Sequence, residues 1–354
     1  MASHDGNGWV RCARGHRHWG LFGAAGLLLS APGGGPVGGA VGGAVGGAVG
    51  GAVGGAVGPD AGGVGEPRVL LQHRAWWSHH GGTWGLPGGA RDSHEDTAEA
   101  ALREAAEECD VQPSAVRVRG VYADDHGGWA YRTVLGQSDR LLDARPVGAE
   151  TAAVTWVTAG QVTSLDLHPG FAETWPVLRD ALPLLTVVVD AANVMGSRPD
   201  GWWRDRAGAA SRLAGQVAGL AERGLTRLPE SVRAPRLERW LPDFVLVVEG
   251  AARAAAAAWT DGPAAGVAAS EGSGSGGLAA AGPRSGGSAA LSSAAATPRL
   301  RVVAAAGSGD DTIAALAGDL PGRRLVITAD RELRARCEAA GAAVTGPRWL
   351  LDLL

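Results

Sequence analysis

Lysine is absent. All 32 basic positions of this 354-residue chain are arginine. Glycine fills 57 positions, about 16% against a usual 7%. With alanine also abundant, the arginine fits GC-rich coding better than a surface built for nucleic acid. The net charge of −4 excludes a strongly basic binding protein. Cysteine is scarce: Cys12, Cys109 and Cys337 stand far apart. That excludes a disulfide scaffold and a CxxC zinc knuckle, and makes a reducing cytoplasm the expected setting. Long apolar runs are missing as well, apart from a Gly/Ala/Val tract at 33–58 that is too glycine-rich to insert, so no membrane partner is expected. Arg11, Arg14 and Arg17 ahead of Leu21–Ser30 imitate a signal peptide. Gly20, Gly23 and Gly26 weaken that apolar stretch, and a β-strand accounts for it better.

Two biased tracts interrupt the chain. Residues 38–57 are five copies of Gly-Gly-Ala-Val, so 31–65 reads as a disordered loop insert. Residues 250–298 are Ala/Gly/Ser-rich; Ala254–Ala258 can extend a helix, and the middle reads as flexible linker. Around the first tract, apolar runs predict strands at Ala24–Leu29, Val69–Gln72, Val116–Val121, Tyr131–Leu135 and Val154–Val157, with a helix from Thr97 to Cys109. From residue 183 the texture changes. Short apolar runs at Thr186–Val189, Phe244–Val248, Val302–Ala305 and Leu325–Thr328 alternate with helical stretches, the pattern of a parallel sheet buried on both faces. Two α/β domains are expected, 1–182 and 183–354, meeting near Ala181–Leu185.

The first chemical signal lies on the helix. Ala98, Ala101, Leu102, Ala105 and Cys109 recur at helical spacing and form a core face. Glu104, Glu107 and Glu108 stand at i, i+3 and i+4 on another face. Three carboxylates that close repel one another unless something positive lies among them, and a hard divalent ion would relieve this. Glu95 and Arg103 are placed to pair, and Pro87-Gly88-Gly89 lets the backbone approach a ligand.

These residues resemble the Nudix box, Gly-x5-Glu-x7-Arg-Glu-U-x-Glu-Glu-x-Gly-U with U apolar. Gly89, Glu95, Arg103, Glu104, Glu107, Glu108 and Val111 fall in place; Asp110 replaces the final glycine. That position ends the helix in a left-handed conformation, which Asp tolerates better than most residues. The resemblance covers roughly residues 10–182. It implies a Nudix α/β/α sandwich and hydrolysis of a pyrophosphate bond in a nucleoside diphosphate derivative. Glu104, Glu107 and Glu108, with the Gly88 carbonyl, would hold Mg2+ or Mn2+ and activate water. Arg103 and Glu95 would orient the site.

Substrate choice lies outside the box. Asp124, Asp125, His126 and Glu150 are candidates for a further base or ligand, or are ordinary loop polar residues. His79 and His80 could line the cleft, and Trp76, Trp77 and Trp129 could stack on a base. Trp84 and Trp156 read as core. Cys12, His16 and His18 suggest zinc but lack a fourth ligand, and are set aside.

The second signal sits at strand ends, where open parallel sheets bind ligands. The runs lead into Asp190 and Asn193, Glu249, Asp310 and Asp311, and Asp330. If the strands are neighbours, the acids converge and a divalent ion is again the economical explanation. Helix capping is the rival reading for Asp311, Thr312 and Asp330. It leaves Asp190 and Asn193 unexplained.

This arrangement resembles the NYN branch of the PIN-like nucleases. The likeness rests on Val187-Val-Val-Asp-Ala-Ala-Asn193, Asp200-Gly-Trp-Trp-Arg-Asp205, Val247-Val-Glu-Gly250, Gly309-Asp-Asp311 and Thr328-Ala-Asp-Arg-Glu-Leu333. It implies a PIN-like, Rossmann-like α/β/α domain with a parallel sheet, binding Mg2+ or Mn2+ to cut RNA. Asp190, Asp310 or Asp311, and Asp330 would be the metal ligands, and Asn193 would orient the site. Asp200, Asp205 and Glu249 are secondary. The expectation is therefore a bifunctional enzyme with a nucleotide-derived substrate and RNA as a second partner. The alternatives are a Nudix pyrophosphohydrolase whose C-terminal domain only binds RNA, and a non-enzymatic nucleotide-sensing regulator.

Overall fold

The computed structural model describes residues 4–33, 65–260 and 298–354. Most of both expected inserts, 34–64 and 261–297, lies outside the described residues. Contacts divide the chain into two units, Met1–Leu182 with Pro235–Glu238, and Pro183–Ala234 with Arg239–Leu354. No helix among the described residues is long and apolar enough to cross a membrane.

The first unit begins with a hairpin, β1 (Trp9–Arg11) and β2 (Arg17–Trp19). Its sheet contains β3 (Ala24–Ala31), β4 (Arg68–Arg74), β5 (Trp84–Gly85) and β6 (Gly88–Ala90). Helix α1 (Thr97–Cys109) follows, then β7 (Arg117–Asp125), β8 (Ala130–Gln137), β9 (Thr151–Thr158) and α2 (Pro169–Ala181). The signal-like stretch is thus strand β3, buried along most of its length. β3 runs parallel to β8, while its two ends pair antiparallel with β6 and β4. Strand alternation sends successive side chains to opposite faces. Val69 and Leu71 of β4 join Leu28, Phe171, Trp175 and Leu178 beneath α2. Gln72, between the two faces' residues, meets Cys109 of α1 instead. The two helices therefore sandwich the sheet.

The second unit contains β10 (Leu185–Asp190), α3 (Ala191–Gly196), α4 (Arg206–Arg223), β11 (Arg239–Trp240), β12 (Asp243–Val248) and α5 (Ala254–Thr260). It continues with β13 (Leu300–Ala304), α6 (Gly309–Asp319), β14 (Arg323–Ile327), α7 (Arg331–Ala339), β15 (Ala343–Thr345) and α8 (Pro347–Leu351). Five strands form one all-parallel sheet in the order β13-β12-β10-β14-β15. β10 is buried at every position, as its unbroken apolar run requires. Val188, Val245 and Val326 pack on one face with Ile313 of α6 and Leu333 of α7. Each such side chain, fully buried, stabilises the fold by roughly 1.5–3 kcal/mol. The order of connections reverses between β10 and β14, so a crevice opens beyond their carboxyl ends.

Candidate active site

Helix α1 positions the first acid cluster, and its start is tightly specified. Asp96 accepts hydrogen bonds from the Ala98 and Glu99 backbone N–H groups, and Glu99 reaches back to the Asp96 N–H. Such a capping box contributes about 1 kcal/mol and sets the phase of the helix. Its end is set by Asp110, whose φ of 58° is the left-handed conformation expected there. Asp110 also pairs with Arg145 at 2.7 Å.

Arg103 is the hub. Its Nε and one terminal nitrogen grip both oxygens of Glu95 at 2.6 and 3.0 Å. The other terminal nitrogen reaches Glu104 at 2.8 Å and Glu107 at 3.1 Å. Glu95 also accepts the Asp92 backbone N–H, so the bidentate pair is anchored to the loop. Glu108 accepts the Gly88 N–H at 2.7 Å. Gly88 therefore meets the acids first through its N–H. A Cβ at Gly89 would lie 2.6 Å from a Glu104 carboxylate oxygen, so any larger residue would push that carboxylate aside.

Burial pushes the Glu108 carboxyl up to about 8, with Glu104 and Glu150 adding repulsion, against the pull of the Gly88 N–H. Burial also raises Glu104, which Arg103 counteracts. Two desolvated carboxyls beside a guanidinium already bound by Glu95 suit an oxygen-liganded divalent cation. The expected ligands Glu104, Glu107, Glu108 and Gly88 do come together. Glu107 is the most exposed of the three acids bound to Arg103, at 49%.

Gly88 also lines a cavity of about 410 Å³. His79 and His80 line it, as do Asp124, His126 and Trp129. Asp124 is bound to His126 at 3.0 Å. Trp129, 9% exposed, stacks on His18 at 3.9 Å. Trp76 and Trp77, by contrast, are 85% and 52% exposed and do not line the cavity. Arg74, Tyr131 and His168 were not anticipated as lining residues. Each comes from a different element, so no local spacing marks them. Burial, and then His80, Arg74 and His79, hold His168 down to about 4, so its imidazole is neutral at pH 7.

The second cluster forms in the other unit, at the switch point. Asp190, the last residue of β10, accepts from Asn193 Nδ2 at 2.7 Å and from Thr328 Oγ1 at 2.8 Å through one oxygen. Its other oxygen accepts the Asn193 backbone N–H, which caps α3. Capping thus accounts for part of Asp190's role, contrary to expectation. Asp330 caps α7 through Leu333 N–H. Asp310 is raised by burial and then by the negative charges of Asp190, Asp330 and Glu249. Glu249 holds the Gly309 N–H at the start of α6. Asp311 is not in the group: it turns outward to Arg336 at 2.7 Å. Neither Asp311 nor Thr312 caps α6, because the helix begins before them, after Ser308. Asp200 and Asp205 are occupied locally, bonding the N–H groups of Trp202 and Gly208.

A family model described as NUDIX domain matches residues 55–180. A Mycobacterium tuberculosis protein named "Putative 8-oxo-dGTP diphosphatase 3", recorded for two strains, is 43% identical over 183 residues. The match covers 50% of this chain and 70% of that protein. A Bifidobacterium longum "Nucleoside triphosphate pyrophosphatase/Nudix hydrolase fusion protein" is 36% identical over 173 residues, 48% of this chain and 30% of that one. Among solved structures, a Nudix hydrolase from M. smegmatis, RenU, is 39% identical, covers 49% of this chain and 94% of its own, and has a TM-score of 0.39. The acid helix, its Arg103–Glu95 clamp and the extent of the M. tuberculosis match lead to one conclusion: the chain belongs to the Nudix family, hydrolases of nucleotide derivatives that generally need a divalent metal ion.

Proposed function

We propose that the first unit hydrolyses the pyrophosphate linkage of a nucleoside diphosphate derivative, using Mg2+ or Mn2+ held by Glu104, Glu107, Glu108 and the Gly88 carbonyl. The observation that carries this is the desolvation of Glu104 and Glu108 against Gly88-Gly89 while Arg103 is held by Glu95. A bound cation supplies charge neutralisation at the phosphates and an activated water. The chain's own residues do the rest. Glu95 holds Arg103, and Arg103 keeps Glu104 and Glu107 side by side despite their repulsion. Arg74 offers positive charge to the phosphates, and His79, His80 and neutral His168, whose rings lie against one another, offer aromatic surface for a base. The M. tuberculosis relative's name makes an oxidised purine nucleoside triphosphate the first substrate to try. Hydrolysis of such nucleotides should appear with Mn2+ or Mg2+, vanish with chelator, and fall sharply in Glu108→Gln. Full activity in both Glu107→Gln and Glu108→Gln overturns the assignment.

A second reading concerns the other unit. We infer a PIN-like, metal-dependent ribonuclease site built from Asp190, Asp310 and Asp330, with Asn193 orienting Asp190. Convergence of acids from three strand ends at the reversal between β10 and β14 supports it. Incubating RNA with Mn2+ and the full chain or Asp190→Asn tests it. Metal-dependent cutting lost in Asp190→Asn supports a nuclease; binding without cutting leaves only an RNA-binding unit.

A further inference from the structure

Cys12, His16 and His18 come from the β1–β2 hairpin, and the fold brings a fourth side chain to them. His126, from the β7–β8 turn, places a ring nitrogen so that the potential ligand atoms of all four residues lie within 4.8 Å of one another. The hairpin loop is closed by Cys12 N–H donating to the His16 carbonyl at 3.0 Å. The two loops are docked by one backbone hydrogen bond and one from the Arg14 guanidinium. Ala13 N–H donates to the Gly127 carbonyl at 2.8 Å, and Arg14 donates to the Asp125 carbonyl at 2.7 Å. Gly127 and Gly128 both take φ of 74°, as a two-residue hairpin turn requires. A Cβ at Gly127 would lie 2.8 Å from the Cβ of Ala13, so this glycine permits the close approach.

Inside the cluster, polar atoms are left over. His18 Nε2 and His126 Nδ1 are buried and lack a hydrogen-bond partner. A buried ring nitrogen without a partner costs free energy unless something meets it. The other nitrogen of His126, Nε2, bonds the Asp124 carboxylate at 3.0 Å. The carboxylate can only accept, so Nε2 donates to Asp124, and Nδ1 is the nitrogen of His126 left without a protein partner. A carboxylate behind a histidine is the usual arrangement behind a metal ligand. His18 is held flat against Trp129, whose Nε1 donates to the Gly20 carbonyl at 3.1 Å. Cys12 is a free, buried thiol.

We propose that Cys12 Sγ, a ring nitrogen of His16, His18 Nε2 and His126 Nδ1 form a tetrahedral zinc site that pins the N-terminal hairpin to the β7–β8 turn. One thiolate and three imidazoles suit zinc and not the hard ions expected at the carboxylates. Binding releases the Cys12 thiol proton to solvent. Four protein ligands leave no open position, so the role is structural. His18 and His126 also line the cavity, so the metal steadies one of its walls.

The test uses the full chain with any purification tag removed, exposed to excess zinc and dialysed against a weak chelator. Elemental analysis should find about one zinc per chain. Cobalt in its place should give a thiolate-to-metal charge-transfer band. Cys12→Ser should abolish that band, and zinc content should fall at least tenfold in Cys12→Ser and His126→Asn. His16 is exposed, so His16→Asn should lower zinc content without disturbing the core. Asp124→Asn should keep the metal with about 10–100-fold weaker affinity. A wild-type chain that retains no zinc overturns the proposal without reference to any variant. Zinc content unchanged in Cys12→Ser and His16→Asn overturns it too.

Discussion

Asp190 is a buried carboxyl and Glu108 a half-buried one, each at the edge of an α/β/α layer, and they are held in opposite ways. Glu108 has one backbone N–H for company, and burial drives its pKa to about 8. Asp190 is also raised by burial, yet three donors from Asn193 and Thr328 pull it back. The first cluster is concentrated on one helix and clamped by one arginine. The second is assembled from the ends of separate strands by hydrogen bonds, with Arg336 turned outward to Asp311. An acid set on one helix is governed by desolvation. An acid set on several strands is poised by its hydrogen-bond frame.

The largest expected effect separates the two sites outright. Glu108→Gln should reduce metal-dependent nucleotide hydrolysis by about a hundredfold or more, while leaving any RNA cleavage at wild-type rate. Asp190→Asn should do the reverse, with some loss of melting temperature, because Asn can still cap α3 through its oxygen but turns an amide N–H toward the Asn193 and Thr328 donors. Loss of both activities in either variant would break the comparison. Assaying each variant on both substrates decides it.

Arg103→Lys sharpens the description of the clamp. Lysine carries the charge but cannot grip both Glu95 oxygens, so turnover should fall by about tenfold or more, without full loss of Mn2+ binding. Equal turnover in the variant would show that Arg103 contributes only charge.

A smaller effect is thermodynamic. A carboxyl whose folded pKa lies near 8, above its unfolded value of 4.5, keeps its proton longer in the folded state. Its contribution to stability is present below about pH 4.5 and is lost as pH rises through 8. In metal-free protein, Glu108→Gln should therefore gain melting temperature over wild type between pH 5 and 9, and Mn2+ should narrow the gap. Parallel pH profiles of the two proteins would contradict the burial of this charge. His168 acts on the other limb and most weakly. Its folded pKa near 4 lies below the unfolded 6.5, so its contribution is lost as pH falls through that window. His168→Asn should flatten the acid side of the melting curve, and an unchanged acid limb would speak against it.

Legibility followed locality. The acid helix could be read residue by residue, because i, i+3 and i+4 spacing makes neighbours of Glu104, Glu107 and Glu108 without tertiary information. The longer strands of both sheets showed as apolar runs, whereas β5, β6, β11 and β15, of two or three residues each, did not; Asp110 showed as a helix end. The hairpin β1–β2 had no such mark: Trp9 and Trp19 are half exposed, and three residues are too short for a period. Asp311 and Asp310 are adjacent in the chain, yet one faces Arg336 and the other the carboxyls. Helix phase decides between them, and packing sets that phase.

What the chain determined by itself is therefore the local chemistry: a Glu-rich helix face, a Gly-Gly approach, a capping box and short apolar strands. Each follows from backbone geometry over a dozen residues or fewer. Tertiary structure alone decided which distant groups meet. It set Thr328 on Asp190, gathered His79, His80 and His168 on one cavity wall, and carried His126 to Cys12, more than a hundred residues away. Such meetings depend on strand order and loop docking, and those are fixed by burying the whole apolar core at once, not by any short stretch of sequence.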